Sequence, residues 1–133
     1  MRSKTLATTI ECNPQKLYEF VSNPENLPKW ARGLGQAARK EKGRWVVETP
    51  QGEAEFRFAE RNSFGVMDHY VAIAGKETYV PMRVVANGNG SEVIFTLFQA
   101  TGVTDEDFQR DISLVEKDLK NLKNIMEQTK KGP

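Results

Sequence analysis

The tightest constraint on this chain lies near its C-terminus, in TDEDFQRDISLVEKDLKNLKNIMEQTK, residues 104 to about 130. Phe108, Ile112, Val115, Leu119, Leu122 and Met126 recur at steps of four and three, which makes one face of a long helix apolar. Thr104 suits the N-cap, because its hydroxyl can accept from the free amides of the first turn. Asp105, Glu106 and Asp107 sit where the positive end of the helix dipole favours them. Lys130 and Lys131 fall at the negative end, and Gly132-Pro133 cannot continue the helix. Nothing in this helix looks catalytic. It needs a large apolar surface to lie on, and the preceding chain has to supply one.

Residues 5–12 (TLATTIEC) alternate and are rich in β-formers, so they predict a first strand. Asn13-Pro14 then opens a short helix with Leu17, Phe20 and Val21 on one face, ending near Ser22. Asn23-Pro24 breaks it, and residues 24–30 (PENLPKW) read as a second short helix or turn, kept short by Pro28. From Leu34 to Phe98 the period is two. Strands are expected at 44–49, 53–61, 64–73, 78–86 and 91–99, separated by Gly52, Asn62-Ser63, Ala74-Gly75 and Asn87-Gly88-Asn89-Gly90. Turns this short give an antiparallel meander with no room for crossover helices. The expected architecture is α+β: about seven antiparallel strands in a curved sheet, in the order β-α-α-β6-α, wrapped on the C-terminal helix. A curved sheet and a straight helix cannot touch along their whole length, so a cavity is expected between them.

The totals narrow the function. A chain of 133 residues is one domain by size, here residues 1–133. A net charge of +1 with basic residues scattered as pairs gives no field for nucleic acid or an anionic membrane. The single cysteine, Cys12, excludes an internal disulfide and a cysteine-based zinc site. No apolar run fits a signal peptide or the ~20 residues of a membrane span, so a cytoplasmic protein, monomer or homodimer, is expected. Neither a phosphate-binding glycine loop, a metal-ligand spacing nor a nucleophile elbow is readable, and no cofactor is expected.

The order of elements, with the phrase TTIECNPQKLYEFVSNPENLPKWARGL and the ending DLKNLKNIME, resembles the START/polyketide-cyclase superfamily, the helix-grip fold of the birch-pollen allergen. FGVMDHYV, VPMRVVANGNGSEVIFTLF and the final helix resemble the bacterial polyketide cyclase/dehydrase-like branch. The resemblance implies the fold closely and the function loosely, since such proteins include lipid carriers, hormone receptors, cyclases and a co-chaperone domain. Three functions follow as expectations. The first is binding of a small hydrophobic or amphipathic ligand (lipid, polyketide or aromatic) in the cavity. The second is a cyclase/dehydrase-type reaction on such a ligand. The third is a co-chaperone-like interaction domain with a filled interior.

Two adjacent residues carry the candidate chemistry. His69, the sole histidine, and Asp68 would be the catalytic pair of the enzyme reading, assisted by Tyr70. The bland reading of His69 is a sheet histidine with a hydrogen-bonded partner. Neighbours on a strand point to opposite faces, so only one of the two can face the cavity. A two-residue turn in 87–90 puts Met82, Val84 and Ala86 on one face with Val93, Phe95 and Leu97. If Ala74-Gly75 is also a two-residue turn, His69 joins that inner face with Val80, while Asp68 and Arg83 go outside as a cross-strand pair. A three-residue loop would instead turn Asp68 inward. The expected ligand-contacting set is Trp30, Trp45, Phe56, Phe58, His69, Tyr70, Met82, Phe95, Val115 and Leu119.

Overall fold

The structure, a computed structural model, describes residues 1–31 and 37–130. The stop signal at Lys131, Gly132 and Pro133 and the start of the β-region at Leu34 lie outside the described residues. The elements are β1 (Ser3–Ile10), α1 (Pro14–Val21), α2 (Leu27–Trp30), β2 (Ala38–Glu41), β3 (Arg44–Thr49), β4 (Gly52–Phe58), β5 (His69–Ile73), β6 (Lys76–Val80), β7 (Met82–Asn87), β8 (Gly90–Phe98) and α3 (Asp105–Lys130). A single 3₁₀ turn, Pro24–Asn26, leads into α2.

Local chemistry fixes the helix ends. Asn13 Oδ1 accepts from the amides of Gln15 and Lys16 at 2.8 and 3.2 Å, and Pro14 takes the position where no donor is needed. Ser22 ends α1 by donating both its amide and its hydroxyl to the Tyr18 carbonyl. Asn23 then caps the next turn through the Glu25 amide. Thr104 Oγ1 accepts from the Asp107 amide at 3.1 Å and starts α3. The stripe on α3 faces inward: Phe108, Ile112, Leu119, Leu122 and Met126 are buried and Val115 is half-buried. Val115, Leu119, Leu122 and Met126 pack with Ile10, Leu17, Val47, Ala54, Phe56, Met82 and Val93 in one core.

All strand pairing is antiparallel, in two hydrogen-bonded sheets of order β1-β8-β7 and β2-β3-β4-β5-β6. Three strand expectations need correction. The chain contains β2, ARKE, which joins β3 through a turn at Lys42 and Gly43, both at positive φ. The strand expected over 64–73 begins only at His69. Asn62 ties the preceding stretch into a turn, accepting from the Phe64 and Val66 amides and donating to the Glu60 and Val66 carbonyls. Gly65, at φ +71°, lets that turn lie against β7, where a Cβ would stand 2.2 Å from the Val84 carbonyl oxygen.

The third correction positions the site. The strand expected over 78–86 is two strands broken at Pro81, β6 pairing with β5 and β7 pairing with β8. Pro81 accepts a hydrogen bond from the Thr96 amide at 3.0 Å but has no N–H to return. The ladder to β8 therefore ends at Met82–Phe95, and β6 is not paired with the last residues of β8.

Two stability predictions follow. Leu119→Ala should cost roughly 2–5 kcal/mol, because Leu119 is buried mid-stripe and its loss leaves a void; urea denaturation measures this. Asn13→Ala should cost about 1 kcal/mol by the same measurement, through two orphaned amides of α1.

Candidate functional site

The facing of Asp68 and His69 follows from two hairpins. Ile73 pairs with Lys76 across a two-residue turn, Ala74 at φ 52° and Gly75 at φ 78°. His69 is therefore opposite Val80, and Tyr70 opposite Tyr79. Asn87 pairs with Gly90, which sets Met82 opposite Phe95 and Val84 opposite Val93. His69, Met82 and Phe95 are all buried, on the inner side, whereas Ala86 is exposed near the hairpin tip.

Asp68 takes the other side and is fully engaged there. Its Oδ1 accepts from the Met82 amide at 2.9 Å and Arg83 Nε at 3.2 Å, and its Oδ2 from Tyr79 Oη at 2.9 Å and Arg83 Nη2 at 3.0 Å. Four donors meet the roughly four lone-pair positions of a carboxylate. Partial burial alone would raise the carboxyl pKa. The Arg83 guanidinium, the Met82 amide and the Tyr79 hydroxyl together outweigh that and hold it below the usual range. Asp68 clamps the junction of β6 and β7, which crosses Pro81.

His69 is 5% exposed and stands among aromatic rings, with Phe58 at 4.9 Å between centroids, Phe56 at 6.3 Å and Phe95 at 6.4 Å. Its Nδ1 is 3.0 Å from the Met67 carbonyl oxygen. A carbonyl only accepts, so Nδ1 carries the proton and Nε2 keeps the lone pair of the neutral ring. Burial pushes the imidazole below its ordinary value, and the Met67 carbonyl and Asp68 offset this only in part. The only histidine is thus a neutral acceptor in an apolar wall.

That wall borders a half-open cavity of about 310 Å³. It lies between α2 (Leu27, Trp30), β5 and β6 (His69, Val71, Ile73, Thr78, Tyr79, Val80), β8 (Phe95, Thr96, Leu97, Phe98) and the first half of α3 (Phe108, Asp111, Leu114, Val115, Asp118). Trp30 is 3% exposed, and its Nε1–H has no hydrogen-bond partner among the described residues. Such an orphaned buried donor costs about 1–3 kcal/mol. His69, Val71, Thr78, Val80, Phe95 and Leu97 point inward by register, while Tyr79, Thr96 and Phe98 alternate with them and point outward. Inward and outward positions meet in this lining beside Pro81, where β6 and the end of β8 are not hydrogen-bonded to each other.

Of the residues expected to contact a ligand, Trp30, His69, Phe95 and Val115 line this cavity. Phe56 and Met82 are packed in the core, and Phe58 flanks the imidazole. Trp45 is half-buried opposite Phe56 on β3. Tyr70 lies on the outer face, its ring 5.1 Å from Tyr79 and under the Arg57 guanidinium. Leu119 borders a different hollow, a groove between β1 and α3 rimmed by Glu116, Lys117, Lys120 and Lys123. Sequence reasoning missed Tyr79, Phe98 and the α3 flank of Asp111, Leu114 and Asp118. The spacing of that flank, i, i+3 and i+7 beside Val115, was the signal that could have found it. Among the described residues no group of three or more acidic, histidine or cysteine side chains is placed to hold a metal ion. Among the same residues no helix is long and apolar enough to cross a membrane.

No protein-family model matches the chain, and no curated protein sequence matches it. Solved structures do. The protein XoxI from Bacillus cereus superposes with a TM-score of 0.75 at 16% identity, over 98% of this chain and 99% of its own. Ara h 8.0201 gives 0.72 at 14% identity, over 96% and 98%. The Aha1 dimer from Colwellia psychrerythraea gives 0.68 at 17% identity, over 96% and 97%. The chain shares the helix-grip α+β fold of these structures.

The buried imidazole predicts a pH dependence of stability. An unfolded histidine takes up a proton near its ordinary value of about 6.5, and His69 in the folded protein only at lower pH. Between the two the unfolded chain binds more protons, so stability is full above that value and falls as the pH drops below it. Urea denaturation at about pH 7.5 and 5.5, either side of the ordinary value, should show this loss in the wild type and a flatter profile in His69→Phe. An unchanged slope in the variant would assign the effect to another group.

Proposed function

We propose that this protein binds one small, flat amphipathic molecule in the cavity between sheet and α3, an aromatic body carrying a hydroxyl or carbonyl group. The observation that carries this reading is a polar pair, Trp30 and His69, set among the aromatic and aliphatic side chains of a cavity whose helix flank also carries Asp111 and Asp118. Trp30 offers an unpartnered indole N–H, and His69 is a neutral imidazole whose Nδ1 proton is already given to Met67. A hydroxyl can accept from the first and donate to the second, relieving a buried donor without bringing in a charge. At about 310 Å³ the cavity is at the small end of ligand sites, which run from roughly 300 to 1,000 Å³. Aromatic and aliphatic walls suit a ring system.

The lining also supports binding over the acid–base reaction expected of Asp68 and His69. Asp68 has its acceptor positions filled on the far side of the strand, so proton transfer within the cavity would have to do without it.

The test uses 2-naphthol, with naphthalene as the probe lacking a hydroxyl. Calorimetric titration should give one site per chain for 2-naphthol. His69→Phe and Trp30→Phe should each weaken it by about tenfold, the equivalent of roughly 1.4 kcal/mol for a lost hydrogen bond in a dry site. Naphthalene affinity should stay level, and so should the thermal stability of His69→Phe near neutral pH. Asp68→Asn should leave 2-naphthol affinity within about threefold of wild type, less than the tenfold step of one such bond. If 2-naphthol binds no better than naphthalene, or neither variant affects it, the assignment of the polar pair fails.

A further inference from the structure

From the break in the sheet we infer that the gap between β6 and β8 is the portal through which planar ligands reach the cavity, with the rings of Tyr79 and Phe98 as its gate. This rests on the binding reading above and adds the route and the shape it selects. Three independent features meet at the gap. Pro81 removes the donor that would continue the ladder from Met82–Phe95 toward Tyr79–Phe98, so the two strands are free to separate beyond it. The outward positions among the cavity's lining residues, Tyr79, Thr96 and Phe98, all lie beside this gap. Finally, Tyr79 and Phe98, on the outward side of the gap, are stacked with ring planes 16° apart and centroids 6.4 Å apart.

Those rings close the gap without locking it. Phe98 is at the end of β8, 37% exposed, and beyond the Thr96–Pro81 hydrogen bond its strand is paired only with β1. Tyr79 is anchored instead, its hydroxyl on Asp68 and its ring against Tyr70. Phe98 is therefore the ring that can swing, by side-chain rotation, while the Tyr79 side stays fixed. A flat aromatic molecule can slide between near-parallel ring faces with continuous contact; a puckered one of the same composition cannot.

A gate and a wall residue differ kinetically. Removing a wall contact changes affinity, whereas removing a gate raises association and dissociation rates together. Stopped-flow tryptophan emission would compare 2-naphthol with decahydro-2-naphthol, which keeps the hydroxyl and the fused skeleton but is puckered. In wild type 2-naphthol should associate faster. Phe98→Ala should raise both rate constants for 2-naphthol by about tenfold while moving Kd by less than about threefold, and should erase the advantage of the planar probe. Pro81→Val restores the missing N–H, should extend the ladder and should slow both rates. Leu114→Ala removes a wall contact on the helix side of the cavity and should change dissociation while leaving the association rate of 2-naphthol unchanged. Binding with rates indifferent to Phe98→Ala and Pro81→Val, or with association accelerated instead by Leu114→Ala, overturns the portal and leaves the binding reading standing. No binding of 2-naphthol to wild type overturns both.

Discussion

The site depends on one missing hydrogen-bond donor. Between Lys76 and Asn87 the chain runs extended and would read as one strand, but Pro81 cannot donate, so the chain changes partners there. Before it, β6 belongs with β5; after it, β7 belongs with β8 and with the turn at Gly65–Met67. Asp68 holds the junction together by binding the first amide after the proline, the Arg83 guanidinium and the Tyr79 hydroxyl at once. A half-buried carboxylate with all its acceptor positions filled is costly to disturb. The sheet is thus pinned at Pro81 and open beyond it.

The same register that sends Asp68 outward sends His69 inward, and the consequences differ in kind. Outside, an ionised carboxylate and a guanidinium pair within reach of solvent. Inside, desolvation keeps the imidazole neutral and the Met67 carbonyl fixes its tautomer. What α3 adds is enclosure. Its apolar stripe is shared between two tasks: Phe108 and Val115 close the cavity, while Leu119, Leu122 and Met126 consolidate the core toward the other end of the helix. Stability and the candidate site are therefore drawn from one row of side chains, and substitutions along that row will not affect both equally.

Much of this was legible in the sequence because it is written in short-range chemistry. The i, i+4, i+7 stripe from Phe108 to Met126, the Asn13-Pro14 cap and the two hairpins at Ala74-Gly75 and Asn87–Gly90 each depend on a few neighbouring residues. What escaped depends on distant partners. β2 is the polar tetrapeptide ARKE with no alternation, held at the sheet edge by Arg39 pairing with Glu41, Glu48 and Glu53. The 62–68 turn looks like a strand because Phe64 and Val66 alternate, yet Asn62 satisfies the local amides itself and Phe64 is left 80% exposed. Pro81 was visible, but its effect could not be weighed without knowing that β8 lies opposite. For the site, register located His69; Tyr79 and Phe98 were missed because outward residues do not line a cavity unless the sheet is open.

The central claim is that His69 presents a neutral Nε2 acceptor to a ligand in the cavity. Because His69 is the sole histidine, its two ring nitrogens can be followed without ambiguity in long-range proton–nitrogen NMR spectra of uniformly labelled protein at neutral pH. In the free protein the ring should be the neutral Nδ1–H tautomer. On saturation with 2-naphthol the Nε2 resonance should move upfield, as a lone-pair nitrogen does when it accepts a hydrogen bond, with Nδ1 little changed. A protonated or Nε2–H ring in the free protein, or an Nε2 signal that stays put while the ligand saturates, would contradict it.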